Sequence, residues 1–214
     1  MSVQKIGVIG SINLDLVASG APLPRPGETV TGAQFAQHPG GKGANQALAA
    51  RRLGADVSMI GRVGKDAMAE AALALLRADG VDLSGVVVDE TAGTGVALIA
   101  VSPDGENQIS VASGANANLS ARDVLALGMC DAVLCQLEVP LAGIIAGLAM
   151  ERERGLFAVN LAPAIEVPSE LLRLADLLIV NEIEAAFYGE ALHQGTGMVA
   201  VTLGGAGAVL YRAG

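Results

Sequence analysis

The chain has 214 residues, 52% hydrophobic and 16% charged, which is enough apolar material for one large domain and argues against disorder. A formal net charge of −9, with a pI near 4.6, argues against a phosphate-tracking nucleic-acid surface. Aromatic residues make up only 2% and tryptophan is absent, so the core must be built from Ala, Val, Leu and Ile, as buried parallel sheets usually are.

Lys5–Gly10 reads as a buried strand. The apolar run Ile6–Ile12 is cut by Asn13 and Asp15, which makes it a poor secretory signal. The strand runs into Gly10-Ser11-Ile12-Asn13-Leu14-Asp15, at the edge where open α/β sheets collect ligands. Asn13 and Asp15 are two apart and share a face of an extended chain, where an amide and a carboxylate can clamp adjacent hydroxyls. An Asx turn at the strand end accounts for the same residues without a ligand.

Residues 20–39 break the rhythm, with Pro22, Pro24, Pro26 and Pro39 around the β-favouring Glu28-Thr29-Val30-Thr31. Gly41-Lys42-Gly43-Ala44-Asn45 follows Gly40 and leads into a helix predicted over Ala44–Leu53, closed by Gly54. Its glycines let backbone approach a small polar ligand and leave helix-start N–H groups to meet it, while Lys42 and Asn45 add a charged donor and an amide. Close helix–strand packing explains the glycines but not the lysine. No Ser or Thr follows Lys42 as a Walker A loop requires, and no G-x-G-x-x-G follows a strand.

Val57–Gly61 is a second predicted strand, and Asp66 caps a helix through Ala78 with Gly80 beyond its end. Residues 94–112 read as a hairpin: Val96–Ser102, an Asp104-Gly105 turn, then Asn107–Ala112. Together with residues 20–39 this forms a small β-sheet appendage at the mouth of the main domain, able to act as a lid.

Ala132–Gln136 is the next strand, and Glu138 in Gln136-Leu137-Glu138 stands just past it, as a ligand-facing or a solvated carboxylate. A helix over Leu141–Arg154, a strand over Leu156–Asn160, a short helix over Ser169–Leu174, and strands over Leu177–Val180 and Met198–Leu203 complete the alternation. The apolar stretch Val139–Met150 is too short to span a bilayer. In Asn181-Glu182-Ile183-Glu184, Asn181 can meet a nucleotide phosphate and Glu184 a magnesium-bound water, or the two can form a capping box. Thr202-Leu203-Gly204-Gly205-Ala206-Gly207 is a nucleotide-contact turn or a glycine hairpin. Cys130 and Cys135 flank a strand and match neither a disulfide nor a zinc spacing, and His38 and His193 read as ordinary surface or loop residues. A reducing cytoplasmic setting is the expectation. The fold class implied is α/β: a mainly parallel sheet with helices on both faces and a small β-sheet lid.

In order along the chain, GSINLD at 10–15, PGETVTG at 26–32, GGKGANQA at 40–47, GENQISVASGANANLS at 105–120, QLE at 136–138, NEIE at 181–184 and TLGGAG at 202–207 resemble the ribokinase-like (PfkB) carbohydrate kinases, from Ile6 to about Leu210. The resemblance implies one three-layer kinase domain over residues 1–214, with lid segments at about 13–39 and 94–112 that also pair two subunits. It implies ATP-dependent phosphorylation of the 5-hydroxyl of D-ribose. Asn13, Asp15, Gly41, Lys42, Gly43, Asn45 and Glu138 would hold the sugar. Asn181, Thr202, Gly204, Gly205 and Gly207 would line the nucleotide, and Glu184 would orient Mg2+ through water. A monovalent cation such as K+ is a further expectation, and neither nucleic acid nor membrane is an expected partner. Another sugar or nucleoside kinase, or a non-catalytic sugar-binding protein, would carry the same motifs.

The family's second glycine-rich signature, whose last Asp takes the hydroxyl proton, is expected beyond Gly214, so no catalytic residue is assigned within the chain. Asp89-Glu90-Thr91-Ala92-Gly93-Thr94-Gly95 is faintly similar, but Val96 stands where the Asp should be. Ala69 stands where the family often has Gly. The stretch from Glu184 to Thr202, passing through Gly195-Thr196-Gly197, is shorter than the family's, and residues are expected to be missing there or after Gly214.

Overall fold

A computed structural model describes residues 3–151, 155–195 and 197–212. In chain order the elements are β1 (Lys5–Ile9), β2 (Asn13–Ser19), β3 (Gln34–Gly40), α1 (Lys42–Arg52), β4 (Asp56–Gly64), α2 (Ala67–Ala78), β5 (Val86–Asp89), β6 (Gly95–Val101), β7 (Asn107–Ala112), α3 (Ala121–Val124), β8 (Ala132–Gln136), α4 (Leu141–Glu151), β9 (Leu156–Asn160), α5 (Ser169–Leu174), β10 (Leu177–Asn181), α6 (Glu182–Tyr188), β11 (Met198–Thr202) and β12 (Ala208–Arg212). The last three residues predicted for α4, 152–154, lie outside the described residues, as does Thr196.

Eight strands form one sheet in the order β12-β11-β10-β9-β8-β1-β4-β5, parallel throughout except for β12, which returns antiparallel along β11. Alternation within each strand sends neighbouring side chains to opposite faces. Val8 of β1 enters a cluster with Ala44 and Ala47 of α1 and Ala72, Leu73 and Leu76 of α2. Ile9 enters the cluster on the other face with Val124 of α3, Ile144 of α4 and Phe157 of β9. Full burial of side chains such as Phe157 and Ile144 contributes roughly 1.5–3 kcal/mol each. This two-sided coverage explains why the strands read as continuous apolar runs rather than alternating ones.

The second sheet is small, in the order β3-β2-β6-β7. Its β6–β7 hairpin turns around Asp104-Gly105 as expected, with Gly105 N donating to Ser102 O at 3.0 Å. Its other half departs from expectation. Glu28–Thr31 has no strand structure, and the pairing segments are β2 and, further along, β3. Pro22, Pro24 and Pro26 remove ladder donors upstream, whereas Pro39 sits on the outermost strand, where a missing N–H is tolerated.

Helix α1 begins at Lys42, two residues earlier than predicted, because the glycine pentad is itself the first turn. Gly41 caps it at φ 91°, in the left-handed region. Asp66 caps α2 by accepting from Ala69 N at 3.0 Å, and it also accepts from Thr94 N and Thr94 Oγ1, both at 2.7 Å, tying the helix to the approach to β6. No helix among the described residues is long and apolar enough to cross a membrane.

Candidate functional site

The C-terminal ends of β1 and β8 open beside the N-terminus of α1. Gly43 permits their contact: a Cβ there would stand 2.6 Å from Gly10 C and Ser11 N. Ala44 N donates to Ser11 O at 2.9 Å and Gly43 N to Ser11 Oγ at 3.3 Å, so the strand end and the helix start are stitched together. The same hydroxyl donates to Glu138 Oε2 at 2.6 Å. Lys42 meets Glu138 twice, through Nζ to Oε1 at 2.6 Å and through its backbone N to Oε2 at 3.2 Å. Burial pushes the Glu138 carboxyl up, but donation from Lys42 and Ser11 outweighs it and holds the group below its usual range.

These groups line a cavity of about 560 Å3, within the range of small-molecule sites, whose wall includes Ser11, Asn13, Lys42, Asn116, Glu138 and Pro163. The small sheet supplies Ile109 and Val111. Register aligns Asp15 with Ala97 and Ala97 with Val111, so Asp15 belongs to the sheet face that borders the cavity. Burial, then the nearby Glu138, raises the Asp15 carboxyl above its ordinary value, partly offset by His38 and Lys42. Among the described residues no hydrogen bond reaches that carboxylate.

Of the predicted sugar-side residues, Asn13, Lys42 and Glu138 line the cavity and Asp15 flanks it. Gly41 and Gly43 are buried behind it and shape the backbone. Asn45 is exposed one turn into α1 and is not part of the wall. His38 is an exposed residue, as expected, on the strand opposite Asp15 in the sheet.

Sequence reading gave no role to Ser11 or Asn116. Ser11 was detectable as a hydroxyl at a ligand-side strand end. Asn116 had no local signal, since its partners Ile12 and Asn13 lie 104 and 103 positions away. Gln136 was missed too: its Nε2 donates to Gln46 Oε1 at 2.6 Å, joining β8 to α1.

The predicted nucleotide-side residues sit at the same edge of the sheet. With strands roughly 4.8 Å apart, the ends of β10 and β11 stand about 10 and 14 Å from that of β8. Asn181 Oδ1 accepts from Glu184 N and Glu184 Oε2 from Asn181 N, both at 2.8 Å, forming the capping box of α6. Thr202 Oγ1 donates to Val180 O at 3.3 Å. Gly204, Gly205 and Gly207 are exposed in the β11–β12 connection, closed by Leu203 N donating to Gly207 O at 2.8 Å. No group of three or more His, Cys, Asp or Glu among the described residues is arranged to hold a metal. The thiol of Cys130 donates to Gly128 O, and burial pushes the Cys135 thiol far up.

A hollow of equal volume opens at the opposite edge of the sheet, walled by Lys5, Ser58 and Asp82 among others. Asp82 is engaged there by Ser84 N and Ser58 Oγ.

A doubly covered, mainly parallel sheet, with a polar cavity at its strand ends and a small sheet beside it, defines an α/β protein with a candidate small-molecule site. The chain belongs to the pfkB family of carbohydrate kinases, whose family model matches residues 3–214. It is 40% identical over 190 residues to the bifunctional ribokinase/ribose-5-phosphate isomerase A of Fructilactobacillus sanfranciscensis, covering 86% of this chain and 35% of that protein. To the ribokinase of Haemophilus influenzae it is 39% identical over 187 residues, covering 85% of this chain and 61% of the relative. The structure of Arabidopsis thaliana ribokinase complexed with ribose and ATP superposes with a TM-score of 0.84 at 26% identity, covering 99% of this chain and 75% of that one. The chain thus spans under two thirds of the length of these two sequence relatives.

Proposed function

We propose that this chain binds D-ribose at the β1–β8 cavity as part of an ATP-dependent kinase acting on the sugar's 5-hydroxyl. The observation that carries this reading is the convergence of Asn13, Lys42 and Glu138 on one cavity beside Asp15, in a chain 39% identical over 187 residues to a ribokinase. Lys42 supplies donors, Asp15 accepts hydroxyl protons, and Gly41 and Gly43 shape the helix-start backbone behind the cavity; Asn45, outside the cavity wall, is assigned to the sugar from its motif alone. Glu138 acts as an anchor rather than a base, since three donors already hold its carboxylate. Neither Glu138 nor Asp15 is assigned the removal of the 5-hydroxyl proton.

ATP, when bound, supplies the γ-phosphoryl group, with Mg2+ neutralising its charge. On the nucleotide side we assign Asn181, Thr202, Gly204, Gly205 and Gly207 to contact. We assign Glu184 to the metal through water; its Oε2 is already engaged by the Asn181 N–H. A monovalent cation such as K+ is part of the proposal, without assigned ligands.

The small sheet is proposed as a lid that excludes water from the transfer; Ile109 and Val111 on the cavity wall support this. Phe35 and Leu98, 66% and 53% exposed, support pairing of two copies through the same sheet. A cytoplasmic location follows from the ATP such an enzyme consumes. Ribose-dependent ADP release in MgATP, compared with deoxyribose, fructose and adenosine and with and without K+, tests the reading. Binding of ribose without any ADP release would reduce it to sugar binding, and no ribose binding would overturn it.

A further inference from the structure

We propose that Asn116 is a positioning residue for sugar recognition, fixing which end of the Asn13 amide faces the cavity. Asn116 is 1% exposed and lies in the turn Gly114–Asn118. Its Oδ1 accepts from Ile12 N at 2.9 Å, and its Nδ2 donates to Ile12 O at 3.1 Å. A backbone N–H only donates and a carbonyl only accepts, so these two bonds leave the Asn116 amide one orientation.

The same Nδ2 donates to Asn13 Oδ1 at 2.8 Å. Asn13 must therefore turn its oxygen inward, since the reverse would set two NH2 groups against each other. Its own NH2 is the end left for the cavity that Asn13 lines. Gly95, in register with Asn13, leaves no room for the pair to shift: a Cβ there would collide with both Asn116 Nδ2 and Asn13 Oδ1. The turn itself is pinned by Ala115 N donating to Gly93 O at 2.7 Å. Asn118 Nδ2 adds a bond to Asp89 Oδ2 at 2.9 Å, and Arg62 Nη1 holds the same carboxylate at 3.0 Å.

The clamp consequently has a sense: a donor at Asn13 and an acceptor at Asp15. It matches a vicinal diol in which one hydroxyl accepts from Asn13 and its neighbour donates to Asp15. The sugar consequence rests on the ribose-binding reading, whereas the amide orientation does not.

Asn-selective 15N labelling of the full chain and calorimetry with D-ribose test this together. In the ligand-free protein the Asn116 side-chain NH2 is expected to resist exchange while that of Asn13 exchanges with solvent, then shifts on ribose addition. Asn13→Ala and Asn116→Asp are each expected to weaken ribose binding at least about tenfold, with the double variant no weaker than the worse single one. Additive losses, or an exchange-protected Asn13 amide in the ligand-free protein, overturn the proposal. Should Asn116→Asp fail to fold, the wild-type spectrum decides. Should wild type not bind ribose, the ribose reading fails while the exchange pattern still judges the orientation.

Discussion

Lys42 and Glu138 are 96 positions apart in the chain, yet their side chains meet at 2.6 Å beside the cavity. The pair joins the start of α1 to the segment leaving β8, so the charge of the site and the packing of two elements are set by one contact. The lysine side chain is 40% exposed and the glutamate side chain 16%, so the lysine is the partner more open to a ligand.

Lys42→Met removes the side-chain donor but leaves Ser11 Oγ and the backbone N–H on Glu138. Ribose affinity is expected to fall about 10- to 100-fold, the range for a hydrogen bond to a charged group. The unfolding midpoint should fall as well, because the largely buried Glu138 carboxylate loses the donor that most offsets its burial. Calorimetry and thermal unfolding on the same samples check both.

The two carboxyls predict opposite dependences on pH. Glu138 has its folded pKa depressed, so its stabilising contribution is present above the ordinary value of 4.5 and is lost as pH falls through the folded value. Asp15 has its folded pKa raised above 3.8, so its ionisation costs the native state and stability falls as pH rises through that interval. At pH 7 Asp15→Asn is expected to raise the unfolding midpoint while weakening ribose binding. Glu138→Gln should lower the midpoint at pH 7 and lose that deficit in acid. Unfolding curves from pH 3 to pH 7 measure both slopes.

Gly43→Ala would force a methyl to 2.6 Å from the backbone of Gly10 and Ser11, where nothing can rotate away. A loss of about 1–3 kcal/mol is expected, with reduced ribose binding because Ser11 and Lys42 move apart. Gly128→Ala is the control: no atom lies within 4 Å of its added carbon, and stability should be unchanged. Denaturant titration of both variants decides it.

Glu184 can be tested as cap and as metal contact separately. Glutamine also serves at this position of a capping box, so Glu184→Gln should keep stability within about 0.5 kcal/mol. If Glu184 orients Mg2+ through water, the same variant raises the Mg2+ concentration needed for turnover. An unchanged Mg2+ dependence would restrict the residue to its capping role.

Local patterns made much of the main sheet legible. Ala132–Gln136, Leu156–Asn160 and Ser169–Leu174 coincide with β8, β9 and α5, because buried apolar runs and turn residues mark their own limits. Asn181 and Glu184 were readable as a capping box because both partners fall within four residues. The hidden parts depended on distance. β2 looked like a strand end because its polar Asn13 and Asp15 broke the apolar run, and only pairing with β3 and β6 makes it a strand. β5 and β12 are short edge strands recruited by β4 and β11. Asn116 sits in a turn whose sequence carries no sign of the backbone it serves.

Only Gly10, Ser11 and Ile12 separate the end of β1 from the start of β2, and Ile12 is fully buried. An interior strand of the large sheet and an interior strand of the small one are thus joined by a three-residue link. Tilting the small sheet would carry Asn13 and Asp15 with it, so cover and grip travel as a single mechanical piece.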